Sequence, residues 1–269
     1  MPMQFQSLKF ERDQTIARVT LNRPERLNAL DGRLIEELSA AARLIDAEPG
    51  IRAVLLGAAG RAFCAGADLA EDRVDEAVPA ARAAAVAARL RDALNPMASA
   101  WFRLRAPLVV AVNGIAAGAG ASLALCGDIV VAGRSAAFAQ LFAPKLALMP
   151  DLGGTFHLPR LVGAARAKGL ALLGDPLPAA EAAAWGLIWA CVEDSELLAR
   201  TEAIARRLAD GPTQAHQRIK TVFNEPASRT FELQLEREAV LQAELAGTGD
   251  FTEGLRAFRE KRPPRFEGR

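Results

Sequence analysis

The sequence predicts an α/β core followed by a helical appendage. Three observations carry this. Apolar, strand-like runs alternate with helical segments up to about residue 195. Two Gly/Ala-rich turns each follow such a run and open a helix. After residue 195 the strand signals stop and four helical stretches follow. Strand–helix alternation is the pattern of α/β folds. The chain therefore divides into a core, residues 1–195, and a helical C-terminal region, residues 196–269.

The elements follow in order. Residues 5–10 and 15–21 read as two strands around Arg12-Asp13; Ala17, Val19 and Leu21 alternate with Arg18 and Thr20. Asn22-Arg23-Pro24-Glu25 is a turn. Asp31 is placed to cap a helix whose Leu34, Ile35, Leu38, Ala41, Ala42 and Ile45 form one apolar stripe, and Pro49-Gly50 ends it. Residues 53–56 are a buried strand, 57–66 a loop of small residues, and Ala67-Asp68 leads into an Ala- and Arg-rich helical region. Residues 108–112 form the next strand, 118–126 a helix, and 129–132 a strand. Helical stretches near 195–210, 212–223, 228–246 and 250–261 complete the chain.

Composition bounds the function. The 269 residues include 33 Lys plus Arg and 32 Asp plus Glu, a net charge of +1, which argues against a broad nucleic-acid or anionic-membrane surface. With 51% hydrophobic and 24% charged residues, a globular protein in solution is expected. Residues 106–127 carry no charge, long enough to cross a bilayer, but Pro107, Asn113, Gly114, Gly118 and Gly120 make them a strand, a turn and a close-packed helix. No basic-then-apolar leader opens the sequence. Cys64, Cys126 and Cys191 are widely spaced, which fits buried thiols in a reducing, cytoplasmic setting. Two His cannot build a three-His zinc site, and with no Tyr there is no phenolic acid or base.

Chemistry has three candidate locations. The turns Gly60-Arg61-Ala62-Phe63-Cys64-Ala65-Gly66-Ala67-Asp68-Leu69 and Asn113-Gly114-Ile115-Ala116-Ala117-Gly118-Ala119-Gly120-Ala121-Ser122 each present free N–H groups at a helix start. Converging, they make an oxyanion hole; otherwise they are sites of tight helix–sheet packing. Neither ends as a P-loop does. In Met149-Pro150-Asp151-Leu152-Gly153-Gly154-Thr155, Asp151 is either a desolvated proton carrier or the N-cap of the next helix. His157 and His216 are isolated and read as structural. No Ser lies in GxSxG. Arg26, Arg61 and Lys261 are phosphate contacts or solvated surface charges.

Taken in order, these stretches resemble the crotonase, or enoyl-CoA hydratase/isomerase, family over nearly the whole chain. The similarity runs from Leu21-Asn22-Arg23-Pro24-Glu25-Arg26-Leu27-Asn28-Ala29-Leu30, through both Gly-rich turns, to Ala257-Phe258-Arg259-Glu260-Lys261-Arg262. The resemblance implies a spiral of ββα turns with a C-terminal helical trimerisation region, assembled as a homotrimer or a hexameric dimer of trimers. It implies an acyl-CoA thioester as substrate, with CoA arriving on the substrate and no metal or redox cofactor.

The same resemblance assigns roles. The N–H groups of Ala67 and Ala119 bind the thioester carbonyl. Ala65, Asp68 and Leu69 border the adenine, Arg26 meets the CoA phosphates, and Phe258 and Lys261 reach a CoA, often a neighbour's. Family hydratases use two glutamates; here those positions hold Ser122 and, at the nearest match, Phe142, in a stretch one residue longer than the family pattern. Asp151 matches the single aspartate of the isomerase branch. The expectation is an isomerase of an enoyl, epoxide or oxepin thioester, in phenylacetate degradation or fatty-acid β-oxidation. A hydratase using Asp151 alone is the alternative, and a non-catalytic RNA-binding or scaffolding homologue is the alternative of another class.

Overall fold

The computed structural model describes residues 5–69, 78–225 and 229–269. A hairpin opens the chain: β1 (Leu8–Asp13) pairs antiparallel with β2 (Ile16–Leu21), Asp13 opposite Ile16. The turn is thus Gln14-Thr15 and not Arg12-Asp13. Gln14 takes a positive φ of 51°, the conformation that a two-residue hairpin turn demands. α1 (Gly32–Ala47) follows, with Asp31 Oδ1 accepting from Leu34 N–H at 2.7 Å and the anticipated stripe fully buried. Such a cap is worth about 1 kcal/mol.

Three repeats then build the spiral. β3 (Ala53–Ala58) is followed by the short β4 (Ala62–Cys64), and after residues 70–77 by α2 (Pro79–Arg89), a π-type turn over Leu90–Leu94 and α3 (Asn95–Phe102). β5 (Leu108–Val112), β6 (Ile115–Ala117) and α4 (Ala119–Ala124) form the second repeat. β7 (Ile129–Gly133), β8 (Ala137–Ala139), α5 (Phe142–Leu146) and α6 (Gly154–Leu173) form the third. β9 (Leu177–Pro178), α7 (Ala179–Ala184) and β10 (Ala190–Val192) close it.

One sheet is ordered β1-β2-β3-β5-β7-β10 and is parallel after the first pair; a second, of short strands, is ordered β4-β6-β8-β9. Of the short strands, β4 and β6 lie where the sequence reads as loop or turn, and β8 and β9 where it gives no strand, because two or three residues carry no period-2 signal. The middle strands of the large sheet are buried on both faces. Val54, Leu56, Leu108 and Val110 face the main core, whereas Ala53, Leu55, Val109 and Ala111 face the other side. That is why the run Leu-Val-Val-Ala-Val is apolar without alternation.

Four helices follow: α8 (Leu197–Ala209), α9 (Thr213–Asn224), α10 (Phe231–Ala246) and α11 (Gly249–Glu260). α8 lays Leu197, Ala205 and Ala209 on the outer face of the large sheet. α10, by contrast, buries only Leu241. The expected helical stretch from 228 begins outside the described residues; Pro226 does too. Among the described residues no helix is long and apolar enough to cross a membrane. Cys64 and Cys126 are buried free thiols and Cys191 is half-buried.

Candidate active site

Parallel pairing of β4 with β6, Cys64 opposite Ala116, brings the segments beyond them out side by side. Gly66 has φ +100°, and a β-carbon on it would stand 2.9 Å from the Ala117 carbonyl oxygen and 3.6 Å from the Ala119 nitrogen. The two Gly-rich turns therefore touch, backbone to backbone. Leu30 N–H donates to Gly66 O (2.7 Å), and Asp68 N–H donates to Leu30 O (3.1 Å). Successive peptide groups of extended chain point to opposite edges, so the Ala67 N–H faces away from Leu30. Ala119 is the first residue of α4, where an N–H has no partner within the helix. Among the described residues no turn or loop carbonyl accepts from either N–H. Two unpaired backbone donors on adjoining turns are the geometry that stabilises an oxyanion.

The stretch Asn22–Leu30 is the pedestal for the first turn. Buried Asn28, in the left-handed region, donates through Nδ2 to Ala59 O and Ala62 O (both 2.9 Å) and accepts from Arg23 N–H (2.8 Å). Leu27 O accepts from Ala65 N–H. The Arg23 guanidinium pairs with Asp31 (3.0 Å) and Asp68 (3.3 Å) in a largely buried triad. Asp68 is thus engaged with Arg23, while Leu69 beside it and Arg26 on the Pro24–Arg26 turn are exposed.

Asp151 precedes α6, whose N-cap is Gly153. The carboxylate therefore caps nothing, and the N-cap alternative is corrected. Its Oδ1 is buried without a hydrogen-bond partner. Desolvation pushes the Asp151 carboxyl up to about 6, offset in part by its own backbone N–H and by the positive field of Arg89. Arg89 Nη2 also reaches Leu30 O at 3.3 Å, so one guanidinium stands over the donor pedestal while acting on the Asp151 carboxyl.

The neighbours of Asp151 complete the site. A β-carbon on Gly154 would lie 2.8 Å from Ser122 Oγ and 3.9 Å from Gln140 Oε1, both buried and unpartnered. An orphaned buried polar group costs about 1–3 kcal/mol, so three around one turn mark a place built for something other than stability. Ser122 lies one helical turn beyond Ala119. The Phe142 ring packs on Gly118, 3.6 Å from where its β-carbon would be, so an apolar wall stands behind the Ala119 donor. His157 is buried edge-on against Phe102 and Phe156, and burial pushes it down to about 4, so it is neutral and structural.

The structure thus brings together Ala65, Ala67, Ala119 and Phe142, and sets the Asp151 turn against α4 through Gly154 and Ser122. Phe258 and Lys261 lie apart, exposed at the end of α11 in the helical appendage. The sequence reading missed Gln140 and Arg89. A lone Gln within the apolar run Ala136–Phe142 was the available signal for the first; the approach of Arg89 to Leu30 spans 59 positions and had none.

With this geometry in hand, comparison with known proteins defines the class. The family described as enoyl-CoA hydratase/isomerase matches residues 11–269, and the chain belongs to it. It is 43% identical over 257 residues, 96% of this chain and 97% of the other, to the 1,2-epoxyphenylacetyl-CoA isomerase of Escherichia coli K12. It is 44% identical over 267 residues, 99% of this chain and all of the other, to a Rhodobacter capsulatus protein named "Probable enoyl-CoA hydratase". Among solved structures, an enoyl-CoA hydratase/isomerase family protein of Mycobacterium abscessus superposes with a TM-score of 0.91 at 37% identity, covering 97% of this chain and all of the other.

Proposed function

We propose that this family member is an acyl-CoA isomerase that moves a proton with one carboxylate. The observation that carries the reading is the desolvated, unpartnered Asp151 beside two positions that lack acid/base groups, Ser122 and Phe142. The thioester carbonyl accepts from the Ala67 and Ala119 N–H groups. Negative charge on that oxygen is stabilised there, which acidifies the carbon next to the carbonyl. With a 3-enoyl thioester, Asp151 takes a proton from C2; the C–H electron pair enters the dienolate. Asp151 then returns the proton to C4, the double bond settles at C2–C3, and no redox partner is consumed. A carboxyl near 6 is matched to both halves of that exchange. Addition of water needs a second positioned group, worth about 10²–10⁴-fold, which these positions do not supply.

The E. coli relative's activity supports a substrate of the epoxidised phenylacetyl type as well as a plain 3-enoyl chain. The exposed apolar side chains of α10 and α11 support a homotrimer or dimer of trimers, with Arg26, Phe258 and Lys261 as CoA contacts within or between subunits. The test is an assay of the purified protein with 3-hexenoyl-CoA, crotonyl-CoA and 1,2-epoxyphenylacetyl-CoA, following products by mass. Isomerisation of the first or third with slow hydration of crotonyl-CoA is expected. Efficient conversion of crotonyl-CoA to the 3-hydroxy thioester would favour a hydratase working through Asp151.

A further inference from the structure

α11 buries Asp250, Glu253 and Ala257 along one face, and two of these are carboxylates, 6% and 9% exposed. A buried carboxylate is costly unless its oxygens are bonded. Here the oxygens are taken up by the chain that follows the helix. Glu253 accepts from both terminal nitrogens of Arg262 (2.6 and 3.0 Å) and from the Arg265 N–H (2.9 Å). Asp250 accepts from the Glu267 N–H (2.7 Å) and the Gly268 N–H (2.9 Å), and its own N–H donates to Arg269 O (3.1 Å). Residues 263–269 form no helix or strand, so these bonds fix their path.

The spiral holds the same path from its other side. Arg52, the residue before β3, donates from Nη2 to Phe266 O (3.1 Å) and Gly211 O (2.6 Å), and from Nε to Thr213 Oγ1 (2.9 Å). Gly268 takes φ +82°, and a β-carbon on it would stand 2.9 Å from Thr213 Oγ1 and 3.2 Å from Arg52 Nε, so this approach requires glycine. The segment therefore runs between Arg52 and the buried face of α11. Lys261, at φ +53°, makes the turn from the helix into it, and Phe258 lies one turn earlier.

We propose that residues 262–269 are a strap that sets where the end of α11 stands relative to the spiral, with Arg52, Asp250 and Glu253 as positioning residues for the CoA nucleotide. The inference rests on the reading of Phe258 and Lys261 as CoA contacts. Within one chain Phe251, Leu255 and Phe258 of α11 stay exposed, so bonds to the strap, more than apolar packing, tie this helix down. Bonds to charged groups are strong and directional, and they fix a position where apolar contact would let the helix slide. The thioester carbonyl and Asp151 belong to the spiral. The strap therefore bears on the nucleotide end of the substrate and not on the reacting carbons.

The experiment compares kcat/KM for 3-hexenoyl-CoA with that for the 3-hexenoyl thioester of N-acetylcysteamine, which keeps the reacting carbons and lacks the nucleotide. Binding energy drawn from the nucleotide reaches only the first. The strap predicts that the ratio of CoA to truncated kcat/KM falls about tenfold in Asp250→Ala, the scale of one lost bond to a charged group, with the change in KM and not in kcat. Arg52→Met lowers the ratio by a smaller factor, and Arg52→Lys, which keeps a donor, recovers part of it. Affinity for CoA itself, measured by calorimetry, weakens in step and needs no turnover, so a failed isomerase reading leaves the strap testable. Equal losses on both thioesters, as general damage to the fold gives, overturn the strap. So does an unmoved ratio, or a fall that tracks a change of size in light scattering. Should Asp250→Ala not fold, the two Arg52 variants still read the ratio. Phe258→Ala with Lys261→Ala tests the reading beneath. A ratio unmoved there overturns the CoA contacts themselves, whereas a ratio that falls there and stays fixed in Asp250→Ala and Arg52→Met overturns only the strap.

Discussion

In the spiral, Trp101, Phe63 and Leu56 are wholly buried; in α10, Phe231 is 72% exposed and Leu235 48%. The stripe Phe231, Leu235 and Ala239 repeats every four residues, as a buried helix face does, yet within one chain nothing among the described residues covers it. The spiral buries most of its apolar surface internally, with sheets, inner helices and α8 on the faces of the large sheet, although Met149, Leu172, Leu173 and Trp189 stay exposed. The last helices leave theirs open, as surfaces that meet another subunit do. The difference locates two kinds of requirement. The donor turns and Asp151 are held by bonds within the spiral, while the proposed assembly, and any CoA contact from α11, falls to helices that lack a cover of their own.

The sharpest break falls inside the spiral. Asp151→Asn is expected to lower turnover by about 10²-fold or more, the scale of a lost general base, with an unchanged circular dichroism spectrum. Next, Gly66→Ala inserts a methyl group 2.9 Å from Ala117 O in a backbone conformation that side chains resist. It displaces one donor turn against the other, so kcat is expected to fall by about 10²-fold, the scale of one oxyanion donor, more than KM changes. Phe231→Glu with Leu235→Glu probes the other region. Light scattering is expected to find smaller species, while thermal unfolding of the spiral persists.

The smallest effect has a sign fixed by protonation. The Asp151 carboxyl titrates near 6 in the folded chain, against an ordinary value of 3.8. Between about pH 4 and pH 6 the folded chain binds more protons than the unfolded one, so this group makes stability fall as pH rises. Asp151→Asn removes that dependence. The variant is expected to melt higher than the unaltered protein at pH 8, with the gap closing by pH 4. A gap of equal size at both pH values would refute a desolvated carboxylate.

Much of this was legible in the sequence, for physical reasons that differ by element. Of the large sheet, β3, β5 and β7 were readable because burial on both faces makes them continuous apolar runs, β2 because its residues alternate, and α1 because Asp31 caps a complete stripe; the three-residue β10 was not read. The second sheet was not, since Ala62–Cys64 and Ala137–Ala139 owe their pairing to neighbouring strands and not to their own propensity. The donor turns were readable as Gly-rich helix starts, but their contact through Gly66 depends on strand register. For Asp151, sequence left capping and catalysis open; the three residues to α6, with Gly153 as cap, remove capping. Gln140 and Arg89 matter through approaches between distant segments, which no local pattern encodes.

The central claim is that one carboxylate, lifted by desolvation, carries the proton. The pH dependence of kcat/KM for 3-hexenoyl-CoA tests it most directly, because that parameter reports ionisation in the free protein. The account predicts a rising limb with an apparent pKa of about 6, tenfold per pH unit below it, and loss of that limb in Asp151→Asn. A profile flat from pH 5 to 8, or the same limb surviving in Asp151→Asn, would contradict it.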